Sequence, residues 1–121
     1  MKVLVAEDDP DQLSLRCMLL ERSGFETFAA EDAISAIELA VGHRPQCAVV
    51  DLRMPTEERG LQLISDLKKL DPSMHVFVVT GGDSRRLART REGALIDAVI
   101  TKGSASAVLI QKLRTVAAGL R

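Results

Sequence analysis

The sequence predicts an α/β fold: a doubly wound, five-stranded parallel sheet with five helices covering its two faces. Three observations predict it. Short apolar runs alternate repeatedly with segments of helical periodicity. The runs are continuously apolar, as in strands buried on both faces. Each run is closed by polar residues at its carboxyl end, and parallel strands joined by right-handed crossovers bring those ends to one edge. A chain of 121 residues has room for one such domain, spanning 1–121.

The elements follow in order. Val3-Leu4-Val5-Ala6 is the first strand, ended by Glu7-Asp8-Asp9. Asp9-Pro10 reads as an N-cap with proline at the first helical position. Leu13, Cys17 and Leu20 form that helix's stripe, and Gly24 stops it. Phe25 to Ala30 is a second strand, at an edge. Asp32 caps a second helix with Ile34, Ile37 and Val41 on its inner face and Gly42 at its end. Cys47 to Val50 is a central strand, followed at once by Asp51 and then by Pro55, past which no strand continues.

Thr56-Glu57-Glu58-Arg59 reads as a polar loop. From Gly60 a third helix turns Leu63, Ile64, Leu67 and Leu70 inward and stops at Asp71-Pro72. His75 to Val79 is a fourth strand, closed by Thr80-Gly81-Gly82. Asp83 to Glu92 reads as a weakly amphipathic helix rich in arginine (Arg85, Arg86, Arg89, Arg91). Ala98 to Ile100 form the fifth strand, before Thr101-Lys102-Gly103. Ser104 opens a last helix with Leu109, Leu113, Val116 and Leu120 as its stripe.

Composition narrows the function. A net charge of −1 provides no field to draw in nucleic acid or an acidic membrane, and the absence of Trp and Tyr removes stacking platforms for single strands. No secretory signal or membrane-spanning run is visible, so the expected setting is a reducing cytoplasm, with Cys17 and Cys47 as buried small hydrophobes.

The strand ends carry the chemistry. Glu7, Asp8 and Asp9, then Asp51, Thr80 and Lys102 fall at one edge, where ligands bind in open α/β sheets. Taken singly, Asp9 is a helix cap, Thr80 a turn hydroxyl and Lys102 a solvated charge. Taken together they point to a site. Clustered carboxylates resist joint ionisation. A hard dication relieves that conflict, and Mg²⁺ suits few carboxylates plus phosphoryl oxygens better than Ca²⁺, for which no EF-hand-type loop is present. Lys102 and Thr80 add a cation and a hydroxyl for the same anionic group. A carboxylate can itself accept a phosphoryl group as an acyl phosphate, and central Asp51 is the candidate.

These residues, with Val50-Asp51-Leu52-Arg53-Met54-Pro55, Val79-Thr80-Gly81 and Thr101-Lys102 in order, make the chain resemble the receiver domain of two-component response regulators over essentially its whole length. The resemblance implies a flavodoxin-like strand order 2-1-3-4-5. It implies Asp51 as phosphoacceptor and Mg²⁺ held by Asp8, Glu7, Asp51 and the backbone carbonyl of Arg53, with an alternative register pairing Asp8 and Asp9. Thr80 and Lys102 would bind phosphoryl oxygens. The donor would be a histidine kinase or phosphotransfer protein in bacterial phosphorelay signalling, and an unidentified protein would read the output. The domain would be a phosphoacceptor and not a turnover enzyme; dimerisation is left open.

Several positions depart from the family pattern. Val99 stands where an aromatic is usual and Gly103 where a proline is usual. Gly81-Gly82 follows the threonine, and Thr56-Glu57-Glu58-Arg59 replaces a Met-Asp-Gly type of turn. The arginine-rich segment reads as a solvated helix face, and the sharper hypothesis makes it a mobile basic helix that meets a partner. The competing reading is a pseudo-receiver, an interaction module that is not phosphorylated. A haloacid-dehalogenase-type phosphatase needs an acid two residues after its nucleophile, where Arg53 stands. A flavodoxin would need a hydroxyl-rich first loop, where Glu7-Asp8-Asp9 would repel phosphate.

Overall fold

The structure is a computed structural model and describes residues 1–82, 85–102 and 105–119. Five strands, β1 (Lys2–Ala6), β2 (Glu26–Ala30), β3 (Cys47–Asp51), β4 (His75–Thr80) and β5 (Ala98–Thr101), form one parallel sheet in the order β2-β1-β3-β4-β5. Among the described residues four α-helices accompany them: α1 (Pro10–Arg22), α2 (Ala33–His43), α3 (Glu57–Leu70) and α4 (Ala105–Gly119). No helix among the described residues is long and apolar enough to cross a membrane.

Side-chain alternation along the strands divides the core into two layers. Val3, Val5, Cys47, Val49, Phe77 and Val79 face α1 and α4, meeting Leu13, Cys17, Leu20, Leu109 and Leu113. Leu4, Ala6, Ala48, Val50, Val76 and Val78 face the other way, against Ala36 and Ala40 of α2 and Leu63, Ile64 and Leu67 of α3. Burial of each of those last three side chains is worth roughly 1.5–3 kcal/mol. Both cysteines are free and buried, as expected.

The helix ends follow local chemistry. Asp9 caps α1, its Oδ1 accepting from the N–H groups of Asp11 (2.9 Å) and Gln12 (3.2 Å). Gly24, just past the helix, takes a φ of 96°, which other residues reach only with strain. The stretch expected as a polar loop is instead the first turn of α3: Thr56 Oγ1 accepts from Arg59 N–H at 3.2 Å, and Glu57 and Glu58 lie where the helix dipole favours acids. Gly60 lies against the Leu52 carbonyl, and a Cβ there would overlap it.

Four further expectations are corrected. In α2, Ile34 and Val41 are exposed at 74% and 54%, while Ala36 and Ala40 face the sheet and Ile37 is half-buried. Gly42 lies inside that helix, which closes at Arg44 in a left-handed conformation. Leu70, at the end of α3, is exposed. The fifth helix, expected over Asp83 to Glu92, is replaced among the described residues by two 3-10 turns, Leu87–Arg89 and Glu92–Leu95. The reason is local. The Thr90 hydroxyl donates to Leu87 O (2.7 Å) and accepts from Gly93 N–H (2.9 Å), and Gly93 presses on the Leu87 carbonyl so that the chain folds back at once. Leu87 alone of the described residues of this segment is buried. The expectations at Asp83, Gly103, Ser104 and Leu120 fall outside the described residues.

Candidate phosphoryl site at the carboxyl edge of the sheet

The sheet order sets β1, β3, β4 and β5 side by side, so their last residues meet. Glu7 follows β1 directly, its N–H donating to Ala30 O of β2 at 3.0 Å, and is only 1% exposed. Asp51 closes β3 and is 3% exposed. Thr80 closes β4 and is buried; its carbonyl accepts from Lys102 N–H at 2.8 Å, fixing the residue after β5 beside it.

The side chains converge. Lys102 Nζ lies 2.7 Å from Asp51 Oδ2 and 4.0 Å from Glu7 Oε1. Asp51 Oδ1 accepts from Arg53 N–H at 2.9 Å, so each carboxylate oxygen is oriented by one donor. Thr80 Oγ1 accepts from Gly82 N–H at 3.2 Å, which matches its ordinary reading as a turn hydroxyl and leaves its own proton to donate. Asp51, Arg53, Thr80, Gly81, Gly82 and Lys102 line a cavity of about 340 Å³.

Charge is distributed unequally over the two buried carboxylates. Burial first, and the neighbouring Asp51 second, push Glu7 up to about 7, with the Asp9 N–H (3.4 Å from Oε2) opposing. Burial acts to raise Asp51 as well, but Lys102, Glu7 and the Arg53 N–H outweigh it and hold Asp51 below the usual carboxylate range. At neutral pH Asp51 is therefore the anion of the pair, and Glu7 is the group poised to lose a proton.

Of the sequence candidates, the structure brings Glu7, Asp51, Thr80 and Lys102 together. Asp8 is exposed beside them, and Asp9 has its Oδ1 committed to the cap. Among the described residues no three carboxylates, imidazoles or thiolates stand as a ready metal-binding cluster. The donors nonetheless suit a hard dication. Glu7 Oε1 is buried without a hydrogen bond, and Mg²⁺ needs only one or two carboxylates, completing its shell with carbonyl oxygen and water. One participant escaped the sequence: Arg16 of α1, whose Nη1 stands 3.8 Å from Glu7 Oε1. Its position on the helix carries no signal, because a long side chain reaches the site from a turn and a half into α1.

A family model described as the response regulator receiver domain matches residues 3–114. This sheet order with acids, threonine and lysine gathered at its carboxyl edge defines a signalling domain, and the chain belongs to the response regulator receiver domain family of two-component systems. The polar-differentiation response regulator DivK of Brucella anthropi is 34% identical over 77 residues, 64% of this chain and 62% of that protein. The transcriptional regulatory protein PrrA of Mycobacterium bovis is 31% identical over 115 residues, 93% of this chain and 48% of its own length. The chain thus spans about half to three fifths of these two relatives. A CheY-like response regulator receiver domain protein from Methanospirillum hungatei superposes with a TM-score of 0.84 at 26% identity, over 94% of this chain and 90% of that one.

Proposed function

We propose that this domain accepts a phosphoryl group on Asp51 from the phosphohistidine of a histidine kinase or phosphotransfer protein, and that the modified domain engages a protein partner in the cytoplasm. The observation that carries the reading is the 2.7 Å contact of Lys102 Nζ with an Asp51 carboxylate that lines a cavity shared with Thr80. In the transfer, an Asp51 oxygen forms a bond to phosphorus while the P–N bond to the donor imidazole breaks, and the imidazole leaves with a proton. The chain's part is positional and electrostatic, as phosphoryl transfer requires. Arg53 N–H holds one Asp51 oxygen. Lys102 follows the negative charge from the carboxylate to a phosphoryl oxygen, and the Thr80 hydroxyl donates to another.

Asp8, Glu7, Asp51 and the Arg53 carbonyl would hold Mg²⁺. That ion would supply charge neutralisation for the transferred group. Commitment of Asp9 to the α1 cap favours Glu7 with Asp8 over Asp8 with Asp9. The phosphoryl group adds charge and acceptor oxygens at a site where Thr80 already ties to Gly82, so the segment after β4 is the first to respond. Val99 is small and exposed, so no aromatic side chain at that position takes part in the response.

Incubation with acetyl phosphate and Mg²⁺ tests the reading on phosphate-affinity gels. A slower-migrating species should form, vanish on hydroxylamine treatment, and be absent in Asp51→Asn. No such species in the wild-type domain would leave the pseudo-receiver.

A further inference from the structure

A second cavity, also of about 340 Å³, opens between α1 and α4 on the face away from α2 and α3. Its walls are aliphatic: Leu15, Leu19, Leu109 and Ile110. Its polar groups are few, and two are cations, Arg16 and Lys102. Lys102 is engaged with Asp51. Arg16 is not comparably satisfied. Its side chain is only 14% exposed; its buried Nη1 pairs with Glu7 Oε1 at 3.8 Å and, among the described residues, has no hydrogen-bond partner. A guanidinium offers five donors, and leaving those on a buried Nη1 unmade is costly.

The volume falls in the range of small-molecule sites, and an aliphatic lining with a few placed polar groups is their usual make-up. We propose that the groove between α1 and α4 binds a small amphiphilic anion, its carboxylate or sulfonate on Arg16 and its apolar body between Leu15, Leu19, Leu109 and Ile110. The charge of the occupant follows from Arg16 and its apolar body from the leucines. The site is separate from the Asp51 cavity, although Lys102 borders both.

The test uses the full chain without Mg²⁺ or phosphodonor. Titration with 1-anilinonaphthalene-8-sulfonate should saturate at one site per chain, be competed by decanoate, and weaken roughly tenfold in Arg16→Met, as loss of a charge-assisted bond does. Leu15→Glu should weaken it as well. Leu15 is 53% exposed, so this variant keeps its fold even if Arg16→Met does not, and circular dichroism melts check both. Decanoate should also raise the wild-type melting temperature, as a ligand of the folded state must and a ligand of loosened chains cannot.

Binding that does not saturate, a melting temperature that does not rise, or unchanged affinity in the folded variants overturns the proposal. So does concentration-dependent self-association displaced by the dye, which would seat a second copy in the groove. Because no phosphodonor is present, any of these results leaves the Asp51 reading standing. Loss of phosphorylation with intact dye binding would do the reverse.

Discussion

Replacing Glu7 by glutamine tests the electrostatics of the site through stability alone. Burial and Asp51 raise Glu7 from the ordinary 4.5 to about 7, so the folded domain binds its proton more tightly than the unfolded chain. A raised group contributes stability that is fully present below its unfolded value and is lost as pH rises through the folded one. In metal-free buffer the wild-type domain should therefore lose stability from about pH 5 to about pH 8. At 1.36 kcal/mol per unit, the loss has an upper bound of about 3 kcal/mol. Glutamine keeps the shape and carries no charge at any pH. Glu7→Gln should match wild type at pH 5 and exceed it by up to about 3 kcal/mol at pH 8. Urea unfolding followed by far-ultraviolet circular dichroism is the assay, since a chain without Trp or Tyr offers little fluorescence signal. The difference between the two proteins cancels the titrating groups that do not meet Glu7, and Asp51, which does, is held below the usual carboxylate range. Equal slopes of stability against pH in the two would refute the reasoning, and with it the assignment of Glu7 as the protonated partner of Asp51.

Three other outcomes follow from single contacts. Lys102→Met removes the ammonium 2.7 Å from Asp51, so the Asp51 carboxyl should titrate at higher pH than in wild type, read by carbon-detected NMR of the side chain. Gly60→Ala drives a methyl into the Leu52 carbonyl and should cost about 1–3 kcal/mol in urea unfolding; a cost near zero would mean that the first turn of α3 moves freely. Cys47 is fully buried, and burial pushes its thiol up to about 12, so Ellman's reagent should label it only at the rate of global unfolding.

The strands and the site edge were legible for a simple reason. Val3–Ala6, Cys47–Val50 and Val76–Val79 are apolar without interruption, and the first polar residue after each is held where its strand stops. The α2 face was not legible, because two stripes offset by one residue fit helical spacing equally well: Ile34, Ile37 and Val41, or Ala33, Ala36, Ile37 and Ala40. Hydrophobicity favours the first, but the small residues of the second let α2 lie close to the sheet, and packing decides. The segment after β4 escaped because its course is set by Thr90 and by the approach of Gly93 to Leu87, contacts that no period encodes. Arg16 escaped because its role depends on reach across space to Glu7.

Asp51 is the proposed destination of the phosphoryl group. Borohydride reduces an aspartyl phosphate to homoserine, which peptide mass mapping locates. After acetyl phosphate and Mg²⁺, homoserine should appear at position 51 and not at Asp8, and the longer 2-amino-5-hydroxypentanoic acid that a reduced Glu7 would give should be absent. Homoserine elsewhere, or none while the domain is folded and Mg²⁺ is present, would contradict the account.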